Sequence, residues 1–63
     1  MSIYSEPRAI AKPGQAGTPT TGKLTTVWFG RYNGLCLDGK QVRWRNYEWI
    51  DDVLHSVFEE VTR

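Results

Sequence analysis

The sequence predicts an α+β fold, in which a three-stranded antiparallel β-meander packs against one C-terminal α-helix behind a flexible N-terminal tail. Three observations lead to this prediction. Residues 1–23 are rich in Pro and Gly, residues 24–45 hold β-branched and aromatic runs divided by turn dipeptides, and residues 47–61 carry apolar residues at helical spacing. Because the chain has only 63 residues, it has room for one small domain, which we assign to residues 24–63.

Residues 1–23 are predicted to be a disordered tail. Pro7, Pro13 and Pro19 interrupt any regular element, and three glycines add chain entropy. The alternative is an arm that becomes ordered on a partner through its basic side chains, which are Arg8, Lys12 and Lys23.

Two dipeptides divide residues 24–45 into three strands. Asn33-Gly34 and Asp38-Gly39 are typical of two-residue hairpin turns, since these residue types accept the positive φ angles of a type I′ turn. The segments around them are rich in Val, Thr, Trp, Tyr and Phe, which favour strands. The sequence therefore predicts a meander with a short middle strand.

The two turns predict which residues lie opposite each other, and so which side chains share a face of the sheet. We expect Tyr32 to lie opposite Leu35, and Leu37 opposite Lys40. One face is then apolar and is expected to be the core side; it carries Trp28, Tyr32, Leu35, Leu37, Val42 and Trp44. The other face is basic and carries Val27, Phe29, Arg31, Cys36, Gln41, Arg43 and Arg45.

The segment from Asn46 to Val61 is predicted to be an amphipathic helix. Asn46 is a good N-cap, and the acidic residues that follow it suit the positive N-terminal end of a helix. Apolar residues recur with the period of a helix that has one apolar face, namely Trp49, Ile50, Val53, Leu54, Val57, Phe58 and Val61. We expect this face to cover the apolar side of the sheet and to leave an acidic face in solvent.

Charge is distributed unevenly, although the formal net charge is only +1. Residues 1–46 contain seven Lys or Arg against two acidic residues, whereas residues 47–63 contain one Arg against five acidic residues. In the predicted fold this separates a basic sheet face from an acidic helix face. No segment has the length of a membrane span and no signal peptide is evident, so we expect a cytoplasmic protein with a reduced thiol at Cys36.

The composition argues against an enzyme, a metal site and a cofactor. The chain has one Cys and one His, and we expect Cys36 to be a partly buried structural side chain rather than a nucleophile. Asp51, His55 and Glu59 share one face of the predicted helix. Since no second element supplies further ligands, we expect them to be solvated rather than to bind a metal.

The segment DGKQVRWRNYEWIDDVL, residues 38–54, resembles the wing and the following helix of small phage excisionases and AlpA-type regulators. Gly39-Lys40 corresponds to the tip of the wing, Val42-Arg43-Trp44 to its strand, and residues 50–54 to the helix. The resemblance implies that Lys40, Arg43 and Arg45 lie near the DNA backbone or the minor groove.

Two functions are therefore expected. The first is a small non-enzymatic DNA-binding accessory or regulatory protein of phage or mobile-element type, acting as a homodimer or beside a larger protein. Its DNA contacts would come from the basic sheet face, through Phe29, Arg31, Lys40, Arg43 and Arg45. The alternative is an inhibitor or adaptor that docks on a larger host or phage protein, with Tyr47 or exposed tryptophans as anchors. Its acidic helix face would supply Glu48, Asp51, Asp52, Glu59 and Glu60.

Overall fold

The computed structural model describes residues 6–61, which form one six-stranded β-sheet curled into half of a barrel. The strands are β1 (Arg8–Ala11), β2 (Thr18–Thr20), β3 (Leu24–Phe29), β4 (Tyr32–Leu37), β5 (Lys40–Ile50) and β6 (Val53–Glu60). Their order across the sheet is β2-β1-β6-β5-β4-β3. β1 and β6 are parallel, and the other neighbouring pairs are antiparallel. Within the described residues no helix is long and apolar enough to cross a membrane.

The predicted C-terminal helix is wrong, because the same residues form the β5–β6 hairpin. Asp51 and Asp52 have positive φ angles of 51° and 63°, so they form the two-residue turn of a hairpin. Adjacent apolar pairs such as Val57-Phe58 imitate helical spacing, but in a strand they place one apolar side chain on each face. Trp, Tyr, Ile, Val and Phe also favour strands over helices. The fold is therefore all-β and not α+β.

Residues 6–23 do not form the predicted disordered tail, since they contribute β1 and β2 to the sheet. β1 pairs in parallel with residues 56–59 of β6 and antiparallel with β2. The buried apolar side chains of β1 are small, namely Ala9 and Ala11, so hydrophobicity alone does not reveal this strand. Pro19 is tolerated because β2 is an edge strand. Residues 1–5 of the predicted tail lie outside the described residues.

The predicted turn at Asp38-Gly39 is confirmed. Both residues have positive φ angles, 55° and 75°, as a type I′ turn requires. Leu37 pairs with Lys40 as expected.

The other predicted turn, Asn33-Gly34, lies inside β4. The chain reverses instead at Gly30-Arg31, where Gly30 has a φ of 69° and occupies the first central position of a two-residue turn. Tyr32 consequently pairs with Phe29 and not with Leu35. Gly34 leaves room for the Phe29 ring, since a Cβ at this position would come within 2.9 Å of a ring carbon.

Each face of the sheet has its own small apolar cluster, because adjacent residues of β6 point to opposite sides. On one side, here called the Phe58 face, Phe58 packs with Leu37, Val42, Ile10, Leu24 and Leu35. On the other side, called the Val57 face, Val57 packs with Ala9, Ala11 and Ile50. The structure is only 16 Å thick along its shortest axis. It is therefore a single layer of sheet, and its faces are covered only by its own curl and loops.

Candidate functional site

The five residues predicted to bind DNA do not form one open basic face. Arg43, on the Val57 face, forms an ion pair with Glu59 at 2.9 Å, and Lys40, on the Phe58 face, lies 3.7 Å from Glu60. Phe29 stacks on Tyr32 with ring centroids 5.9 Å apart. The remaining two are Arg31, which is exposed in the β3–β4 turn, and Arg45.

Arg45 holds the β1–β2 loop against the sheet. It occupies a β-bulge, since the β5–β6 register shifts at this residue. Its guanidinium lies 2.5 Å from Glu48 and 3.5 Å from Glu59, and it donates a hydrogen bond to the carbonyl of Gln15 at 2.9 Å. Glu48 in turn accepts a hydrogen bond from the N–H of Gly17 at 3.3 Å. The basic and acidic residues of this face thus neutralise one another and stabilise the fold.

These ion pairs shift the pKa values of their members. The hydrogen bond from Arg45, followed by the one from the Gly17 N–H, lowers the pKa of Glu48 below its ordinary value. The hydrogen bond from Arg43, helped by Arg45, lowers the pKa of Glu59. The bond to Glu48 also raises the pKa of Arg45. Both carboxylates are therefore held in the ionised form.

The acidic residues of the predicted helix face are distributed along the β5–β6 hairpin. Glu48, Glu59 and Glu60 are paired with basic side chains. Asp51 and Asp52 form the exposed turn, and no basic side chain of the described residues lies within ion-pair distance of them. The acidic docking face of the alternative hypothesis is thus reduced to this two-residue tip.

The residues considered for metal binding and nucleophilic catalysis have structural surroundings. His55 is buried, with Nδ1 2.9 Å from the carbonyl oxygen of Val53, and Cys36 is a buried free thiol. In the part of the chain that the structure describes, no three His, Cys, Asp or Glu residues come together as metal ligands. Asp51, His55 and Glu59 therefore do not form a shared site.

The most unusual surface of the protein is formed by aromatic side chains on the Phe58 face. The three tryptophans Trp28, Trp44 and Trp49 are 69%, 51% and 73% exposed, and the strand register places them on this face. Tyr47 and Leu54 are also exposed there, and the rings of Trp44 and Tyr47 meet edge to face at 5.5 Å. We call Trp44, Tyr47, Trp49 and Leu54 the aromatic surface.

Most of the aromatic surface lies on a two-stranded arm, residues 46–55, which projects from the sheet. β4 pairs with β5 only as far as Val42, and β1 reaches β6 only at Ser56. Strands β5 and β6 therefore pair only with each other along the arm. An isolated two-stranded ribbon is marginally stable in water, so a partner that covers the arm would stabilise it.

Acidic residues lie at the tip and at the base of the arm, and a small cavity opens beside the base. Asp51 and Asp52 form its tip, and at its base Glu6 accepts a hydrogen bond from the Ser56 hydroxyl at 3.3 Å. The basic residue of β1, Arg8, also lies at this base, because it pairs with Ser56 in the parallel ladder. A cavity of about 100 Å³ opens at the base and is lined by Glu6, Pro7, Tyr47, Leu54 and Ser56.

Sequence reasoning named Tyr47 and exposed tryptophans as possible anchors, but it assigned Trp28 and Trp44 to the apolar side of a sheet and Trp49 and Leu54 to a helix packed on it. The signal that would have located the arm is the Asp51-Asp52 pair between two strand-forming segments. No family model matches the chain, and no curated protein or solved structure matches it either.

Proposed function

We propose that this protein is a non-enzymatic binding module, an adaptor or inhibitor, which docks on a larger protein through the aromatic surface of its arm. The observation that supports this function is the exposure of Tyr47 and Trp49 on one face of an arm that pairs with no other strand, with Trp44 exposed beside its base. Large exposed apolar patches mark interaction sites, and Trp and Tyr dominate the energetics of protein interfaces.

The charge pattern supports a protein partner in preference to DNA. Phosphates would be repelled by Asp51 and Asp52 at the tip of the arm. On the Val57 face, Arg43 and Arg45 are already paired with glutamates. The complementary partner has an apolar groove for the aromatic side chains and basic residues where the tip of the arm would lie.

We also propose that this role is regulatory and that the protein acts in the cytoplasm. The cytoplasmic setting is inferred from the sequence, in which Cys36 has no second cysteine with which to form an internal disulfide. The competing function is DNA binding through the predicted contacts, of which Arg31 is exposed in the β3–β4 turn. It is tested in parallel with the protein partner.

The proposal is tested by affinity capture with three immobilised proteins: the wild type, Trp49→Ser and Tyr47→Ser. The matched control is Tyr32→Ser, which removes an exposed tyrosine from the opposite face. A true partner is captured by the wild type and by the control, but not by either arm variant. Calorimetry with the purified proteins is expected to show that the partner binds each arm variant at least about tenfold more weakly than it binds the wild type. Identical capture by all four proteins would exclude the arm as the docking surface.

The DNA outcome is measured by fluorescence anisotropy with labelled single-stranded and duplex DNA at low and then physiological salt. We expect no saturable binding. Saturable binding that weakens with salt and is lost in Arg31→Glu, while Trp49→Ser binds normally, would replace the protein-binding function by the DNA-binding one.

A further inference from the structure

The free edge of β3 differs from the free edge on the other side of the sheet. β3 is six residues long, reads LTTVWF, and contains no charge, proline or glycine. Its pairing with β4 runs without a bulge from Leu24 to Phe29. β2 at the other edge has three residues with Pro19 in the middle. Edge strands are commonly protected by charges, proline or bulges, because their unpaired backbone groups bind other strands. β2 has such protection and β3 has none.

The register of the β3–β4 hairpin shows which backbone groups of β3 are free. Phe29 and Tyr32 flank a two-residue turn, so they form a pair that exchanges two backbone hydrogen bonds. Because these pairs alternate along an antiparallel ladder, Val27 and Thr25 also bond to β4. The alternate residues therefore present their N–H and C=O groups to the open edge; they are Leu24, Thr26 and Trp28.

We propose that this edge pairs with the same edge of a second copy of the chain, antiparallel, about a two-fold axis at Thr26. Thr26 of one copy then lies opposite Thr26 of the other, and Leu24 lies opposite Trp28. All three outward residues of each copy find partners, which makes about six interchain hydrogen bonds. The exposed indole of Trp28 gains an aliphatic cross-strand neighbour, which is a favourable pair.

The edge of β3 is self-complementary, which favours a second copy as the occupant: its uncharged outward residues pair with one another, and Leu24 meets Trp28. The antiparallel arrangement brings the Arg31 end of each β3 to the Leu24 end of the other. At that end Asp38 accepts a hydrogen bond from the Thr20 hydroxyl and lies against Gly22. No carboxylate of the described residues pairs with Arg31 in its own chain. Lys23, which directly precedes Leu24, is exposed at the same end. Each end of the interface therefore contains charges of both signs, and none is present in its middle.

Pairing through β3 joins the two half-barrels into one continuous sheet. Since the two-fold axis is perpendicular to the sheet, the Phe58 faces of both copies lie on the same side. The dimer then presents two arms to a partner, which increases avidity if the partner also has two sites. The dimer interface itself does not depend on what the arms bind.

The test is the mass of the full chain in solution, measured by sedimentation equilibrium, for the wild type, Thr26→Lys and Thr25→Lys. The wild type is expected to be a dimer. Thr26→Lys places two like charges directly opposite each other and is expected to give a monomer. Thr25→Lys puts the same charge on the same strand, but on the other face and opposite Val27, so it is expected to remain a dimer.

A mixture of Thr26→Lys and Thr26→Glu chains completes the test. The mixture regains the dimer mass only if the two copies meet at Thr26, because lysine then lies opposite glutamate. A monomeric wild type, a dimeric Thr26→Lys protein, or a mixture that stays monomeric would each overturn the proposal. If Thr26→Lys alone does not fold, the mixture decides: recovery of the β-sheet circular dichroism together with the dimer mass supports the interface, and failure to recover them overturns it.

Discussion

The guanidinium of Arg45 lies 2.5 Å from the carboxylate of Glu48, and each of these two side chains also binds the backbone of the β1–β2 loop. The pair joins a bulge in β5 to a segment about thirty residues earlier in the chain. It therefore explains how a loop rich in Gly and Pro is held on the Val57 face, close above Ala9 and Val57.

Replacing Arg45 by Met is expected to destabilise the protein much more than replacing Arg43 by Met. Arg45 is 23% exposed and has three partners, whereas Arg43 is 73% exposed and forms an ion pair with Glu59. Exposed single ion pairs contribute little to stability, but loss of Arg45 leaves Glu48 and the loop without their shared partner. The measurement is the urea midpoint of the two variants, and equal midpoints would contradict the role assigned to Arg45.

The stability of the protein is expected to fall as the pH is lowered below the ordinary glutamate pKa of 4.5. Arg45 and Arg43 lower the native pKa values of Glu48 and Glu59. The unfolded chain therefore binds protons at a higher pH than the native chain does, and stability increases with pH in this range. The contribution is complete above 4.5 and is lost as the pH falls through the lower native values.

The Glu48→Gln/Glu59→Gln double variant tests this linkage. It is expected to be less stable at neutral pH and to lose less stability on acidification than the wild type. The measurement is the denaturant midpoint as a function of pH, and an unchanged pH slope in the double variant would show that other groups cause the acid sensitivity.

Asp52→Gly is expected to stabilise the protein by about 0.5–1 kcal/mol. Asp52 has a φ of 63° in the β5–β6 turn, and Asp-Gly is a preferred pair in a type I′ turn. In a helix the same change would instead destabilise by roughly 1 kcal/mol. The sign of the change in the free energy of unfolding therefore distinguishes the hairpin from a helix, with Asp52→Val as a control that is expected to destabilise the turn.

Leu37→Ala is expected to affect mainly the stability of the fold, whereas Leu54→Ala is expected to affect mainly partner binding. Leu37 is fully buried on the Phe58 face, so its truncation is expected to lower the free energy of unfolding by about 2–4 kcal/mol. Leu54 is exposed on the arm, so its truncation is expected to change stability by less than about 1 kcal/mol and to weaken partner binding. A strongly destabilised Leu54→Ala protein would mean that the arm is part of the core.

Local sequence predicted the structure correctly where turn residues are followed by a short alternation of apolar and polar residues. The Asp38-Gly39 turn and the pairing of Leu37 with Lys40 follow from residues that accept positive φ angles and from the two-residue period of a strand. The placement of Leu37 and Val42 on a buried side follows from the same register.

Local sequence was misleading where two structures satisfy the same pattern. The apolar pairs of residues 49–61 fit one face of a helix, and they equally fit a ribbon that is apolar on both faces. Asn33-Gly34 has the composition of a turn, but Gly34 serves instead as the space beneath the Phe29 ring. Whether such a segment forms a helix, a turn or a strand depends on contacts with distant parts of the chain, which a local pattern does not contain.

The sequence by itself determined that the chain is a small domain without internal disulfides, with strand-forming segments, a charge difference between its two parts and an excess of aromatic residues. Only the tertiary structure decided how these are used. The parallel pairing of β1 with β6 joins opposite ends of the described chain, and pairing of β5 with β6 brings Arg43 and Arg45 to Glu59. Basic and acidic segments that are separate in the sequence thereby neutralise each other. The surface that stays exposed on the arm is aromatic, because backbone hydrogen bonding between distant segments decides which side chains face each other.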